Sequence, residues 1–105
     1  MTLRILKKRL AYWQSVLNAG HWSINLEWMD VKDAETCQGL CWWMSEELTA
    51  DIRISKKTLH KEATLVHELL HIVFEGYKPP PDGYNIEKER ALNNMTAALM
   101  WFEYK

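Results

Sequence analysis

Two histidines four residues apart, with a glutamate beside the first, are the side chains in this sequence best suited to chemistry: His67-Glu68-Leu69-Leu70-His71. In a helix, positions i and i+4 lie one turn apart on the same face. Both imidazoles can then reach one metal ion, and Glu68, one step round, can reach a water bound to it. Zinc fits such a pair. It takes neutral imidazole nitrogen, and a catalytic site keeps three protein ligands and one position for water. The ion lowers the pKa of that water, and Glu68 is placed to take its proton as it attacks a peptide carbonyl. Roughly one in a hundred shuffled versions of this composition would carry the five-residue pattern, so its surroundings decide its weight. Leu65, Val66, Leu69, Leu70, Ile72, Val73 and Phe74 surround it with apolar helix, in which three polar side chains need partners.

No histidine follows His71, so a third ligand has to be a carboxylate, with Glu75, Glu87 and Glu89 in contention. Glu75 points along the helix axis rather than across at the ion, and reads as a solvated residue near the helix end. Glu87 and Glu89 lie about 200° apart around a helix and cannot both face the metal. Glu89 is favoured, because a last helix can fold back across the motif helix and carry it there. Asn93 shares its face one turn on. It can accept a hydrogen bond from the far nitrogen of a ligand histidine and so fix the tautomer. His60, two turns before His67, can reach a cleft rim but reads as a surface residue; His21, beside Gly20, receives no role.

These residues need elements to hold them. Leu3, Leu6, Leu10, Trp13 and Leu17 are spaced 3, 4, 3 and 4, which predicts an amphipathic helix over 2–18 ended by Gly20. Trp22, Ile24, Leu26 and Trp28 alternate with polar residues, as in a strand. Asp30 to Glu35 reads as a turn. A second strand is predicted over 36–44, weakened or kinked by Gly39, with Trp42 and Trp43 on opposite faces. A third over 48–55 follows from the alternation of Ala50, Ile52 and Ile54. The motif helix is capped by Ser55 or Thr58 and stops at Gly76. Pro79-Pro80-Pro81-Asp82-Gly83 cannot be helical, and a last helix runs from Asn85 almost to the end. The expected class is α+β: an N-terminal helix, a small three-stranded, mostly antiparallel sheet, the motif helix and a C-terminal helix.

A length of 105 residues predicts a single domain over 1–105. Apolar residues at 48% and charged residues at 26% exclude a disordered or fibrous chain. The net charge of −1 gives no general attraction to nucleic acid or to an anionic membrane, so neither is expected as a partner. Arg4, Lys7, Lys8 and Arg9 read as the watery face of the first helix. Gln14, Ser15 and Asn18 interrupt the apolar stretch that a secretory signal needs. With no apolar run long enough to span a bilayer, a cytoplasmic protein is expected. Cys37 and Cys41 are too few for a disulfide framework and read as reduced thiols.

The pattern His67-Glu-Leu-Leu-His71, then Glu89-Arg-Ala-Leu-Asn93, with Ala97, Ala98, Leu99 and Met100 beyond, resembles the gluzincin group of zinc metallopeptidases. Within it the chain is most similar to the small ImmA/IrrE-type domain of bacteria and phages. Leu92 replaces the small residue usual before the asparagine, and no proline follows Met100. The lead-in Thr64-Leu65-Val66 also resembles SprT-like zincins, whose third ligand is a histidine absent here. The resemblance implies a minimal zincin-like fold, Zn2+ on His67, His71 and Glu89, and Glu68 as catalytic base. It further implies a peptide or protein substrate held as an extended strand, with the segment Ala50 to Ser55 similar to the edge strand that holds it. Tyr77 or Tyr84, flanking the proline loop, would be the oxyanion donor if not a packing residue. The function expected is that of a zinc metalloendopeptidase; the alternative is a zinc-binding regulatory or partner-binding module without peptidase activity.

Overall fold

The structure is a computed structural model that describes residues 1–105. Helix α1 spans Leu3–Val16 and is opened by Thr2, whose hydroxyl accepts from the Ile5 N–H at 3.2 Å. Its stripe places Leu6, Leu10 and Trp13 in the core. The helix stops earlier than Gly20. Asn18 takes a left-handed conformation (φ 54°), its N–H donates to the Ser15 carbonyl, and the Ala19 N–H donates to that of Gln14. This is a Schellman closure, which asparagine tolerates because its short polar side chain lowers the cost of positive φ.

Strand β1 is Ser23–Trp28, and the segment expected to be a plain turn holds a one-turn helix, α2, at Val31–Ala34. Asp30 caps it by accepting from the Asp33 N–H at 2.9 Å. Strands β2 (Gly39–Met44) and β3 (Thr49–Ile54) follow. The order is β1-β3-β2. β2 and β3 pair antiparallel with Met44 opposite Thr49, whereas β1 and β3 pair parallel with Ser23 opposite Thr49. The sheet is therefore mixed, not mostly antiparallel. The chain crosses over after β1 and then reverses at 45–48, so β3 runs in the direction of β1 and takes the central place.

Leu26, Trp43, Ala50, Ile52 and Ile54 bury one face of the sheet against α1 and α3. The other face is polar: Asn25 donates to Asp51, and the Arg53 guanidinium lies 5.1 Å from the ring centre of Trp42. Trp42 is 44% exposed and Trp43 only 6%, so the pair does divide between faces as its alternation predicts.

Helix α3 (Lys61–Glu75) begins at His60, which makes no side-chain cap bond. Ser55 and Thr58 shape the approach instead, their hydroxyls accepting from the N–H groups of Lys57 and His60. Gly76 closes α3 with an ordinary helical φ of −65°. Its lack of a side chain matters for another reason: a Cβ there would collide with the Ile72 carbonyl oxygen and the Trp22 ring. Helix α4 (Ile86–Tyr104) is capped by Asn85, which accepts from the Lys88 N–H at 3.0 Å. No helix is long and apolar enough to cross a membrane.

Candidate metal centre

Helix α3 presents His67 and His71 one turn apart, with ring centres 5.1 Å from each other. The first turn of α4 brings Glu89 across them. Its Oε2 lies 2.8 Å from His67 Nε2, and its Oε1 lies 2.9 Å from His71 Nε2. Three donor atoms, one from each residue, all lie within 4.8 Å of one another. Glu87, on the exposed side of the same turn, is outside this group. The donor chemistry suits a divalent cation. Two imidazole nitrogens converge on one carboxylate, and two neutral imidazoles with one carboxylate make a donor set used by catalytic zinc.

The groups behind the donors differ from expectation. Glu75 is not solvated: it is 5% exposed and its Oε2 lies 2.7 Å from His71 Nδ1. Its Oε1 lies 2.5 Å from Lys88 Nζ. Burial alone would raise its pKa, but the bonds from Lys88 and His71 outweigh burial and hold the carboxyl below the usual carboxylate range. Asn93, by contrast, is exposed and makes no hydrogen bond to either histidine, although it lines the cleft. It stands one turn after Glu89 on α4. His67 Nδ1 is buried with no partner.

Glu68 lines the same cleft and is 8% exposed. Burial pushes its carboxyl pKa up, against the opposing pull of His67 and His71. The thiol of Cys41 lies beside it, and burial followed by the neighbouring Glu68 charge pushes that thiol up as well. Both cysteines are unpaired, as expected. Gly39 lies against the same carboxylate. A Cβ on Gly39 would come 2.7 Å from Thr64 Cγ2 and 3.2 Å from Glu68 Oε2, so the strand can approach α3 only without a side chain.

These groups open into a cleft of about 770 Å³ between β2 on one side and α4 with the proline loop on the other. Its walls include Leu40, Ala63, Ala97 and Met100. The strand beside it is β2. The segment from Ala50 to Ser55 is paired on both sides as β3 and has no free edge, so the expectation that it receives an extended peptide is overturned. The Ser55 N–H donates to the Gln38 carbonyl, which fixes the alternation. Leu40, Trp42 and Met44 bond to β3, while the N–H and C=O groups of Gly39, Cys41 and Trp43 point to the open edge. Tyr84 lines the cleft mouth and is 77% exposed. Tyr77 lies outside the lining with Lys78 near its ring. His60 is exposed and reaches the rim.

Glu75, Lys88, Gly39 and Cys41 are the site residues that sequence reasoning placed elsewhere or left unassigned. Only Glu75 gave a usable signal, since it stands four residues after His71 on the same helix face. No protein-family model, curated protein or solved structure matches the chain.

Proposed function

We propose that this chain is a zinc-dependent metallopeptidase of the gluzincin type, with a minimal zincin-like fold. The observation that carries the reading is the convergence of His67, His71 and Glu89 in a cleft that a largely buried Glu68 also lines. A catalytic glutamate has no part in metal binding, so the presence of Glu68 in the same cleft favours hydrolysis over metal storage. Zinc held there would supply an activated water and a Lewis acid for the peptide carbonyl. The remaining work falls to the chain's own groups. Glu68 accepts the proton of the attacking water and delivers it to the leaving amine. The open-edge groups of Gly39, Cys41 and Trp43 hold the peptide extended beside β2, which keeps the scissile bond from rotating. Tyr84 can swing from the mouth of the cleft to donate to the developing oxyanion.

Metal analysis of purified protein tests this, comparing wild type with Glu89→Ala and Glu87→Ala. The expected result is about one zinc per chain, kept in Glu87→Ala and lost in Glu89→Ala. A peptide library digested by the wild type then gives the activity. Zinc without hydrolysis would leave the regulatory, zinc-binding module as the reading. A wild type that takes up no zinc ends both.

A further inference from the structure

Glu75 and Lys88 have no role in the chemistry proposed above, yet their placement is unusual. Glu75 occupies the last turn of α3, where a glutamate ordinarily faces water and meets the unfavourable end of the helix dipole. Here it is buried, and its two oxygens are divided between His71 Nδ1 and Lys88 Nζ. Lys88 directly precedes Glu89 in the first turn of α4. That turn has little else to dock it. Ile86, Glu87 and Arg90 are exposed, and the buried residues of α4, Leu92 and Thr96, come later. The side-chain bonds from this turn to α3 are those of Lys88 to Glu75 and of Glu89 to the two histidines.

We infer that Glu75 and Lys88 form a strut from α3 to α4 that fixes the His71 ring and the reach of Glu89 together, making them the positioning residues of the metal site. The inference rests on His67, His71 and Glu89 being metal ligands. The physical case has two parts. Glu75 accepts the Nδ1–H of His71, which leaves the Nε2 lone pair for the metal and holds the ring plane. Lys88 neutralises the buried carboxylate at a fixed distance, and being next to Glu89 it sets where that side chain starts. His67 has no equivalent, since its Nδ1 is buried without a partner. Preorganisation of the site is therefore one-sided, and it runs through His71.

The test is zinc affinity of the full chain, measured by competition with a chromogenic chelator, together with the visible spectrum of the cobalt-loaded protein. Lys88→Met keeps the aliphatic stem and alters no ligand. It should weaken zinc by about 10- to 100-fold, the usual cost of losing a partner behind a metal ligand. Lys88→Arg should restore affinity to within about threefold of wild type, which a general loss of packing would not allow. Glu75→Ala should weaken zinc at least as much and shift the cobalt bands. Combined with Lys88→Met it should cost little more than alone, because both substitutions cut one connection. Wild-type affinity in Lys88→Met, or fully additive losses in the pair, overturns the strut while leaving the metal site intact. Failure of the wild type itself to bind zinc overturns the site and the strut together.

Discussion

Glu68 is buried beside two imidazoles and a thiol, and its charge carries a cost in the metal-free protein. Its carboxyl pKa is raised above the ordinary value, so the folded chain retains a proton that the unfolded chain has released. The sign follows from linkage: stability is greatest below the unfolded pKa and declines as pH rises through the folded one. Glu68→Gln removes that decline. Its gain over wild type in urea denaturation without metal should vanish near pH 4 and be largest at neutral pH. The same substitution should retain zinc and lower peptide hydrolysis by about 10²- to 10⁴-fold, the usual weight of a general base. Equal stability of the two proteins at all pH values would refute the burial argument. The grouping of His67, His71 and Glu89 was legible in the sequence because i,i+4 spacing is local and a carboxylate was the only donor type left downstream. Glu75 was misjudged because solvation of a helix end depends on what docks over it, and Lys88 comes from another helix. Asn93 was assigned by helix periodicity, which gives the face but not the depth.

Strand β2 meets α3 at Gly39 with no room for a methyl group. Gly39→Ala should push Thr64 and the Glu68 side chain aside. Overpacking of this kind costs about 1–3 kcal/mol, readable in urea denaturation. Hydrolysis should fall further than stability does, because the displaced group is the proposed base. An alanine variant with full activity would show that β2 is free to retreat from the helix. Although α2 reads as a turn in the sequence, the three long helices and the strands were legible. The order of the strands was not. Alternation tells which residues share a face, but nothing about which strand lies alongside, and the central position of β3 follows from the crossover after β1. For that reason the free edge, and with it the proposed place for an extended peptide, lies on β2 rather than β3. The cap of α3 was missed on similar grounds, since Ser55 and Thr58 spend their hydroxyls on the preceding turn.

The molecule is joined at the end of α4 remote from Glu89 by a second polar cluster. Glu62, 5% exposed, accepts from Trp13 Nε1 at 2.7 Å, from Arg9 Nε at 3.0 Å and from the Tyr104 hydroxyl at 2.5 Å. Arg9 and Tyr12 also bond Glu103. One carboxylate thus connects α1, α3 and the last turn of α4, a helix whose middle buries only Leu92 and Thr96. Glu62→Ala would strand a buried indole N–H and leave the Arg9 guanidinium with Glu103 alone. It should cost about 2–4 kcal/mol in equilibrium unfolding, whereas a loss below 0.5 kcal/mol would show that water replaces the carboxylate. The mixed sheet has a consequence in time. β2 and β3 face each other across the short turn at 45–48 and can zip together within microseconds. β1 has no such guide: its parallel partner lies beyond α2 and the whole of β2, and long-range pairing of that kind is slow to nucleate. The hairpin therefore exists before the floor on which α3 comes to rest. During that interval β3 is itself an edge strand, with Ile52 and Ile54 short of their final cover, so a refolding chain is most exposed to edge-to-edge aggregation before β1 pairs with it.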